Sequence, residues 1–300
     1  MSSTDKGKYN IYELKTGLLI NSFRKQKGFN SFDILPDTSE SIIASTTSDK
    51  NDILIWDYKS GKTQRLLKEH NKPVGELIFH PDKSALVSAS RDGTVMVWNW
   101  RTGQILKTLE GNSFPVSSML FIKNGQILVG LSEGKDKIGI NYRELIFWDF
   151  SKGKLLIKIP ESSFNYLMAS SPNDSLLATA GGSYTDVWKM NGLKNILSLP
   201  STQARTASGE YVTCIQYSYN SLYLFTGYSN GHLIFWDINK SLTLPPYNKI
   251  EMSEGIDKQG KAHQKSIDFI KIINQGKQML TIEGNGIVKI WDLNEKYYNK

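Results

Sequence analysis

Short runs of alternating hydrophobic and polar residues, each closed by a turn signal, recur along this chain. Residues 70–109 show the pattern most fully. Leu86 to Ser90 reads as a strand, Asp92-Gly93 as a tight turn, and 94–98 (Thr-Val-Met-Val-Trp) as the returning strand. Asp-Gly suits a two-residue hairpin because that turn needs positive φ, and β-branched and aromatic residues favour a pleated surface. An alternating run ending at Pro81-Asp82 precedes this hairpin, and Arg101-Thr102-Gly103 leads into a further strand over 104–109. The stretch therefore predicts a four-stranded antiparallel unit of about 40 residues.

The rest of the chain repeats this unit. Trp56-Asp57, Trp98-Asn99, Trp148-Asp149, Trp188-Lys189, Trp236-Asp237 and Trp291-Asp292 follow one another at spacings of 42, 50, 40, 48 and 55 residues. Tyr12-Glu13, 44 residues before Trp56, is a degenerate seventh copy. Small turns ending in glycine follow most copies, as in Lys15-Thr16-Gly17, Lys59-Ser60-Gly61, Ser151-Lys152-Gly153 and Asn191-Gly192. Over roughly residues 9–295 this arrangement resembles the WD40-repeat family of β-propellers.

That resemblance implies an all-β WD40 propeller of about seven blades. It also implies a buried tetrad in which an indole, a hydroxyl, an imidazole and a carboxylate satisfy one another away from water. His70, Ser88, Asp92 and Trp98 match all four positions, and His263, Thr281, Asn285 and Trp291 match with asparagine in the acid's place. The first unit keeps Ser45, Asp49 and Trp56, the fifth keeps Thr226, Asn230 and Trp236, and the third and fourth keep little beyond the tryptophan.

Taken in order, residues 1–8 are expected to be a flexible N-terminus, 9–295 a single propeller domain and 296–300 a C-terminal tail. Residues 9–13 and 18–23 look like the last two strands of a blade whose first two are absent. The third unit carries an insertion, 132–143, between its second and third strands, and 245–265 reads as a long loop with a ragged outer strand. This count admits three closures: a seven-bladed ring, six closed blades, or an open ring that accepts strands from elsewhere.

Composition narrows the chemistry. No apolar run reaches the length of a transmembrane helix, and the polar N-terminus Met-Ser-Ser-Thr-Asp lacks a signal-peptide core. The single cysteine, Cys214, excludes an intrachain disulfide framework and reads as a buried strand residue. These features suit a reducing cytoplasmic or nuclear compartment. The net charge of +7 is spread over turns and reads as a solvated basic surface.

None of the four histidines (His70, His80, His232, His263) stands at metal-ligand spacing to another, and neither a phosphate-loop run nor a Gly-x-Ser-x-Gly elbow occurs. The sequence therefore predicts no catalytic residues, no metal, no cofactor and no small-molecule substrate.

By the family's topology, loops entering each first strand and loops between second and third strands share one face. There the resemblance places Lys72, Arg91, Phe114, Phe164, Tyr184, Tyr211 and Tyr228, aromatic and cationic types that anchor protein interfaces. Arg91 and Tyr228 sit beside tight-turn residues and are expected to be exposed. The function implied is a non-enzymatic scaffold that binds other proteins within a multiprotein complex. The alternative is a ribonucleoprotein component touching RNA through the basic loops 24–27 and 134–143.

Overall fold

The computed structural model describes residues 2–4, 8–12, 18–24, 31–35, 39–46, 51–135, 139–160, 166–181, 184–200, 211–241, 249–250, 263 and 265–293. The chain divides into two compact units, 1–161 and 162–300.

Among the described residues the first unit holds four antiparallel sheets. β1 (Ser2–Thr4), β2 (Lys8–Tyr12) and β3 (Leu19–Arg24) form the first. β4 (Phe32–Ile34), β5 (Ile42–Thr46), β6 (Ile53–Asp57) and β7 (Thr63–Leu67) form the second. β8 (Val74–Phe79), β9 (Leu86–Ser90), β10 (Val95–Asn99) and β11 (Gln104–Leu109) form the third. β12 (Val116–Ile122), β13 (Ile127–Lys135), β14 (Asn141–Asp149) and β15 (Lys154–Pro160) form the fourth.

Among the described residues the second unit holds three sheets. β16 (Leu167–Ser170), β17 (Leu176–Ala180), β18 (Tyr184–Lys189) and β19 (Lys194–Pro200) form its first. β20 (Val212–Tyr217), β21 (Tyr223–Tyr228), β22 (Leu233–Asp237) and the two-residue β23 (Lys249–Ile250) form its second, with a short helix α1 (Ile238–Ser241) after β22. β24 (Ile267–Ile273), β25 (Gln278–Glu283) and β26 (Val288–Asp292) form its last. Every sheet is a meander in which consecutive strands pair. The architecture is all-β and of the WD40 propeller kind.

Strand period explains the core. One set of alternating residues on the middle strands packs against the preceding sheet and the other against the following one. Leu35, Ile42, Ala44, Ile53, Ile55 and Leu67 of the second sheet meet Val74, Leu77, Phe79, Leu86 and Trp98 of the third. Val87, Ala89, Val95, Val97 and Leu109 of the third then meet Val116, Met119, Leu128, Ile146 and Trp148 of the fourth. The second unit stacks in the same serial way, through Tyr217, Leu224 and Trp236 and then through Phe225, Phe235, Ile267 and Met279.

Two sequence expectations change. Residues 2–4 form a strand: β1 pairs with β2, Ser2 opposite Asn10, so the first sheet gains a third strand that a Ser-Ser-Thr run without apolar alternation does not announce. The insertion at 132–143 is not a separate loop, because β13 and β14 run on as nine-residue strands paired as far as Lys135 opposite Asn141. Within 245–265, Lys249-Ile250 pairs with Phe235-Trp236 as the ragged outer strand, while most of the remainder lies outside the described residues.

Candidate functional site

The tetrad of the third sheet is a continuous relay. The Trp98 indole N–H donates to Ser88 Oγ (2.7 Å), and Ser88 Oγ lies 2.7 Å from His70 Nε2. His70 Nδ1 stands 3.0 Å from Asp92 Oδ2. Burial lowers the His70 pKa, against the raising effect of Asp92. The neutral ring therefore accepts from Ser88 at Nε2 and donates from Nδ1. Burial pushes Asp92 up, but hydrogen bonds from Thr94, Asn71 and His70 overcome it and hold the carboxyl at about 2.

The last sheet departs from its expected set. Trp291 donates to Thr281 Oγ1, which lies 2.7 Å from His263 Nε2. Asn285 does not join: it is exposed, and its Oδ1 accepts from the Ile287 N–H (3.1 Å) as a turn-capping amide. The acid facing this histidine is Glu283, two residues earlier and buried. Its Oε2 is 3.7 Å from His263 Nδ1, a charge contact too long for a hydrogen bond, and among the described residues the imidazole N there has no hydrogen-bond partner. Burial lowers the His263 pKa, as does the nearby Lys289 ammonium.

Other sheets improvise around the same tryptophan. Trp56 donates to Ser45 Oγ (2.9 Å), while Asp49 lies outside the described residues. Trp188 donates to Thr179 Oγ1 (3.1 Å), so the fourth repeat retains a hydroxyl that its sequence hides. Trp148 donates instead to the Glu110 carbonyl (2.8 Å). At the place of the hydroxyl residue stands Gly130, where a Cβ would lie 2.7 Å from the Trp148 ring.

In the fifth repeat Trp236 donates to Thr226 Oγ1 (2.8 Å), and the Tyr228 hydroxyl lies 3.3 Å from that oxygen. Tyr228 therefore occupies the space a histidine would fill. It is 1% exposed and does not belong to a binding face, contrary to the sequence expectation. The cause is that β21 continues through Tyr228, so alternation turns its ring inward rather than out at the hairpin. Asn230 is bound up with His232, through Nδ2 to Nδ1 at 3.0 Å.

The candidate binding residues are therefore placed unit by unit. In the first unit Lys72 and Arg91 are exposed, and their backbones are fixed by Ser90 Oγ donating to the Lys72 carbonyl (2.8 Å) and Arg91 N–H to the Pro73 carbonyl (3.0 Å). Asn112 Nδ2 donates both to the Gly93 carbonyl (2.7 Å) and to the Phe114 carbonyl (2.9 Å), tying the Arg91 turn to Phe114. Phe114 lies over Gly134 and tilts against Tyr142 (5.8 Å between centroids). Lys72, Arg91, Phe114 and Tyr142 thus form one connected surface. Tyr142 and the exposed Ile140 were not singled out from sequence, because 132–143 read as a loop rather than as a hairpin that aims side chains. In the second unit Tyr184 and Tyr211 are exposed, and Phe164 lies outside the described residues.

Two further polar arrangements lie elsewhere, one around the part-buried Glu76 and one around the buried His80. Glu76 on β8 is pushed up to about 8 by burial and by the Asp33 carboxylate, against a hydrogen bond from Ser31. Asp33 is itself committed, its Oδ2 accepting from the Phe79 N–H (2.7 Å). His80 spans two sheets: Nδ1 is 2.5 Å from Asp82 Oδ1, Nε2 is 3.1 Å from the Gly125 carbonyl, and the ring stacks on Phe150 (4.6 Å). Among the described residues no group of three or more His, Cys, Asp or Glu is placed to hold a metal ion, and no helix is long and apolar enough to cross a membrane.

Comparison with known proteins agrees with this geometry. The family model described as "WD domain, G-beta repeat" matches residues 61–99 and 201–237. The first match begins just before β7 and ends with β10, so one sequence repeat comprises the outer strand of one sheet and the inner three of the next. The chain is 24% identical over 205 residues to the small ribosomal subunit protein RACK1y of Oryza sativa subsp. japonica, covering 68% of this chain and 46% of that protein. It is 26% identical over 116 residues to Protein NEDD1 of Homo sapiens (37% of this chain, 16% of that protein). It is 38% identical over 58 residues to the Periodic tryptophan protein 2 homolog of Mus musculus (19% and 6%). The matched stretches span less than half the length of each of these relatives. Recurrent Trp-bearing meanders, the relay at Trp98 and these matches together identify WD40 repeats in this chain, at residues 61–99 and 201–237 by the family model.

Proposed function

We propose that this chain is a non-enzymatic scaffold whose residues 9–295 work as one WD40 domain holding other proteins in a multiprotein complex. The observation that carries this reading is the connected surface of Lys72, Arg91, Phe114 and Tyr142. Cationic and aromatic side chains stand there on hydrogen-bonded turns, the type and rigidity of anchor that dominates protein interfaces. Several polar groups of the repeats, by contrast, are occupied with one another: Ser88, His70 and Asp92 join the tryptophan relay, and Asp57 accepts from Ser60 N–H (2.6 Å) to close its turn. In the second unit Tyr184 and Tyr211 are the corresponding anchors. A cytoplasmic or nuclear site of action suits this role.

The test is a tagged pull-down of the chain from native lysate, with and without RNase, beside an Arg91→Glu variant. A stable protein set that survives RNase and is lost with Arg91→Glu supports the reading. A set that ignores Arg91→Glu overturns the assignment of the face. The rice relative is by name a ribosomal subunit protein, which favours RNA contact through 134–143 as the second reading. Recovery that collapses with RNase would select it. The Arg143 guanidinium is already held by Glu133 (3.0 Å), which leaves the exposed Lys135 as the better contact.

A further inference from the structure

Three turns that lead into an outer strand are tied in one way, and the turn from β18 into β19 is not. After β6 the Ser60 N–H donates to Asp57 Oδ1 (2.6 Å), after β10 the Thr102 N–H to Asn99 Oδ1 (3.0 Å), and after β14 the Lys152 N–H to Asp149 Oδ1 (3.0 Å). The next residue of each turn is a glycine at positive φ: Gly61, Gly103 or Gly153. Its N–H donates to the carbonyl of the same Asp or Asn (2.8, 2.7 and 2.8 Å).

The β18–β19 turn has the same length, since Trp188 stands opposite Asn195 as Trp98 stands opposite Ile105. Its residues differ. Lys189 takes the acceptor's place, and an ammonium side chain has only donors. Gly192 stands where Ser60, Thr102 and Lys152 stand, and Leu193, at φ +46°, where the three glycines stand. Asn191 and Gly192 are both exposed. Among the described residues neither the Gly192 N–H nor the Asn191 amide has a hydrogen-bond partner, and a Cβ on Gly192 would meet nothing within 4 Å. The sequence holds three more Asn-Gly pairs, and each is held. The Gly231 N–H donates to the Tyr228 carbonyl (3.1 Å), and both ends of the Asn230 amide meet His232. The Gly286 N–H donates to the Glu283 carbonyl (2.7 Å), and Asn285 Oδ1 accepts from Ile287. Gly125, after Asn124, is buried against the His80 ring.

We propose that Asn191-Gly192 is a modification site, at which the chain deamidates its own asparagine to aspartate and isoaspartate. The Gly192 nitrogen gives its proton to solvent base and attacks Asn191 Cγ. The new N–C bond closes a cyclic succinimide, and Nδ2 takes up a proton and leaves as ammonia. Water then opens the ring: at Cγ it gives aspartate, and at the main-chain carbonyl it gives isoaspartate, with the backbone routed through the former side chain. Water enters, ammonia leaves and no atom is oxidised or reduced. A nitrogen already donating a hydrogen bond must first break it, which protects the tied turns and not this one. The product places a carboxylate between the exposed Lys189 and Lys194, and as isoaspartate it lengthens the backbone of a turn already strained at Leu193. The site stands independently of the scaffold role proposed above.

The test ages the full chain in mildly alkaline buffer and follows each Asn-Gly pair by peptide mass mapping. Isoaspartate is counted separately, with an isoaspartyl methyltransferase and labelled S-adenosylmethionine. Asn191 should convert about tenfold faster than Asn124, Asn230 or Asn285, the factor that one hydrogen bond imposes on a step that must break it. In urea the four sites should level. Lys189→Asp returns the acceptor to the turn at an exposed position and should slow Asn191 by about the same factor. Lys189→Ala, which supplies no acceptor, should leave it fast. Faster conversion at another Asn-Gly pair, equal rates at all four in the folded chain, or a Lys189→Asp variant that ages like the parent would each overturn the proposal.

Discussion

Replacing Glu76 by glutamine should stabilise this protein, and by an amount that depends on pH. The Glu76 carboxyl lies between burial and the Asp33 carboxylate, which together raise its pKa from 4.5 to about 8. Unfolding returns the group to its ordinary value. Below pH 4.5 it is protonated in both states and contributes no difference. As pH rises from 4.5 to about 8 the unfolded chain ionises first, and stability is progressively lost. Above 8 the full cost is in place. At about 1.4 kcal/mol per unit the ceiling is near 5 kcal/mol, and local relaxation should bring the observed figure to about 2–4 kcal/mol.

Glutamine keeps the shape and a hydrogen-bond acceptor for Ser31 while removing the charge. Urea denaturation of both proteins at pH 5 and pH 9 gives the answer. The variant should gain about 2–4 kcal/mol at pH 9 relative to its difference at pH 5. A stability difference that is the same at both pH values would refute the reasoning. Asp33→Asn should remove part of the same pH dependence, because one of the two raising causes goes with it.

Further outcomes follow from the relay and the turns. Ser88→Ala leaves both the Trp98 indole and His70 Nε2 without their shared partner and should cost about 2–5 kcal/mol in denaturant unfolding; a loss under about 0.5 kcal/mol would mean water fills the gap. Nitrogen NMR at pH 7 should find the His70 ring neutral with its proton on Nδ1, and an imidazolium signal there would contradict the relay's direction. Because the folded-state pKa values of His70 and His263 are lowered, their contribution is complete above about pH 6.5 and shrinks as pH falls below it. Gly125→Ala should cost more than about 2 kcal/mol of stability, since the residue sits at φ +91° and a Cβ would lie 2.2 Å from His80 Nε2. Pairing it with His80→Ala should recover part of the loss by relieving the steric share alone.

Much of this fold is legible in the sequence because the repeat restates one arrangement. Where every element agrees, as at His70, Ser88, Asp92 and Trp98, spacing alone names the bonded set. The misreadings come from positions one or two residues from a strand end. Asn285 satisfies the spacing, but its short amide bonds back to Ile287 within the turn, and the longer Glu283 reaches the histidine from the strand. Tyr228 was assigned to a hairpin by the Asn230-Gly231 signal beside it. The clue to its inward ring was the missing histidine of that repeat, whose space had to be filled. Glu76 gave no signal, because a lone carboxylate in an alternating strand looks like any solvent-facing residue until the Asp33 strand is set beside it.

The chain's passage from β11 into β12 has a mechanical consequence. Each outer strand is covalently continuous with the innermost strand of the next sheet, yet its hydrogen bonds run back to the sheet before. A protease cut at Arg101-Thr102 would therefore leave two pieces that each lack part of one sheet. β11, carried on the C-terminal piece, would remain zipped to β10 on the N-terminal one from Val95 opposite Leu109 to Asn99 opposite Gln104. A single nick in such a turn should leave the molecule clasped, with fragments that separate on a denaturing gel and travel together on a sizing column.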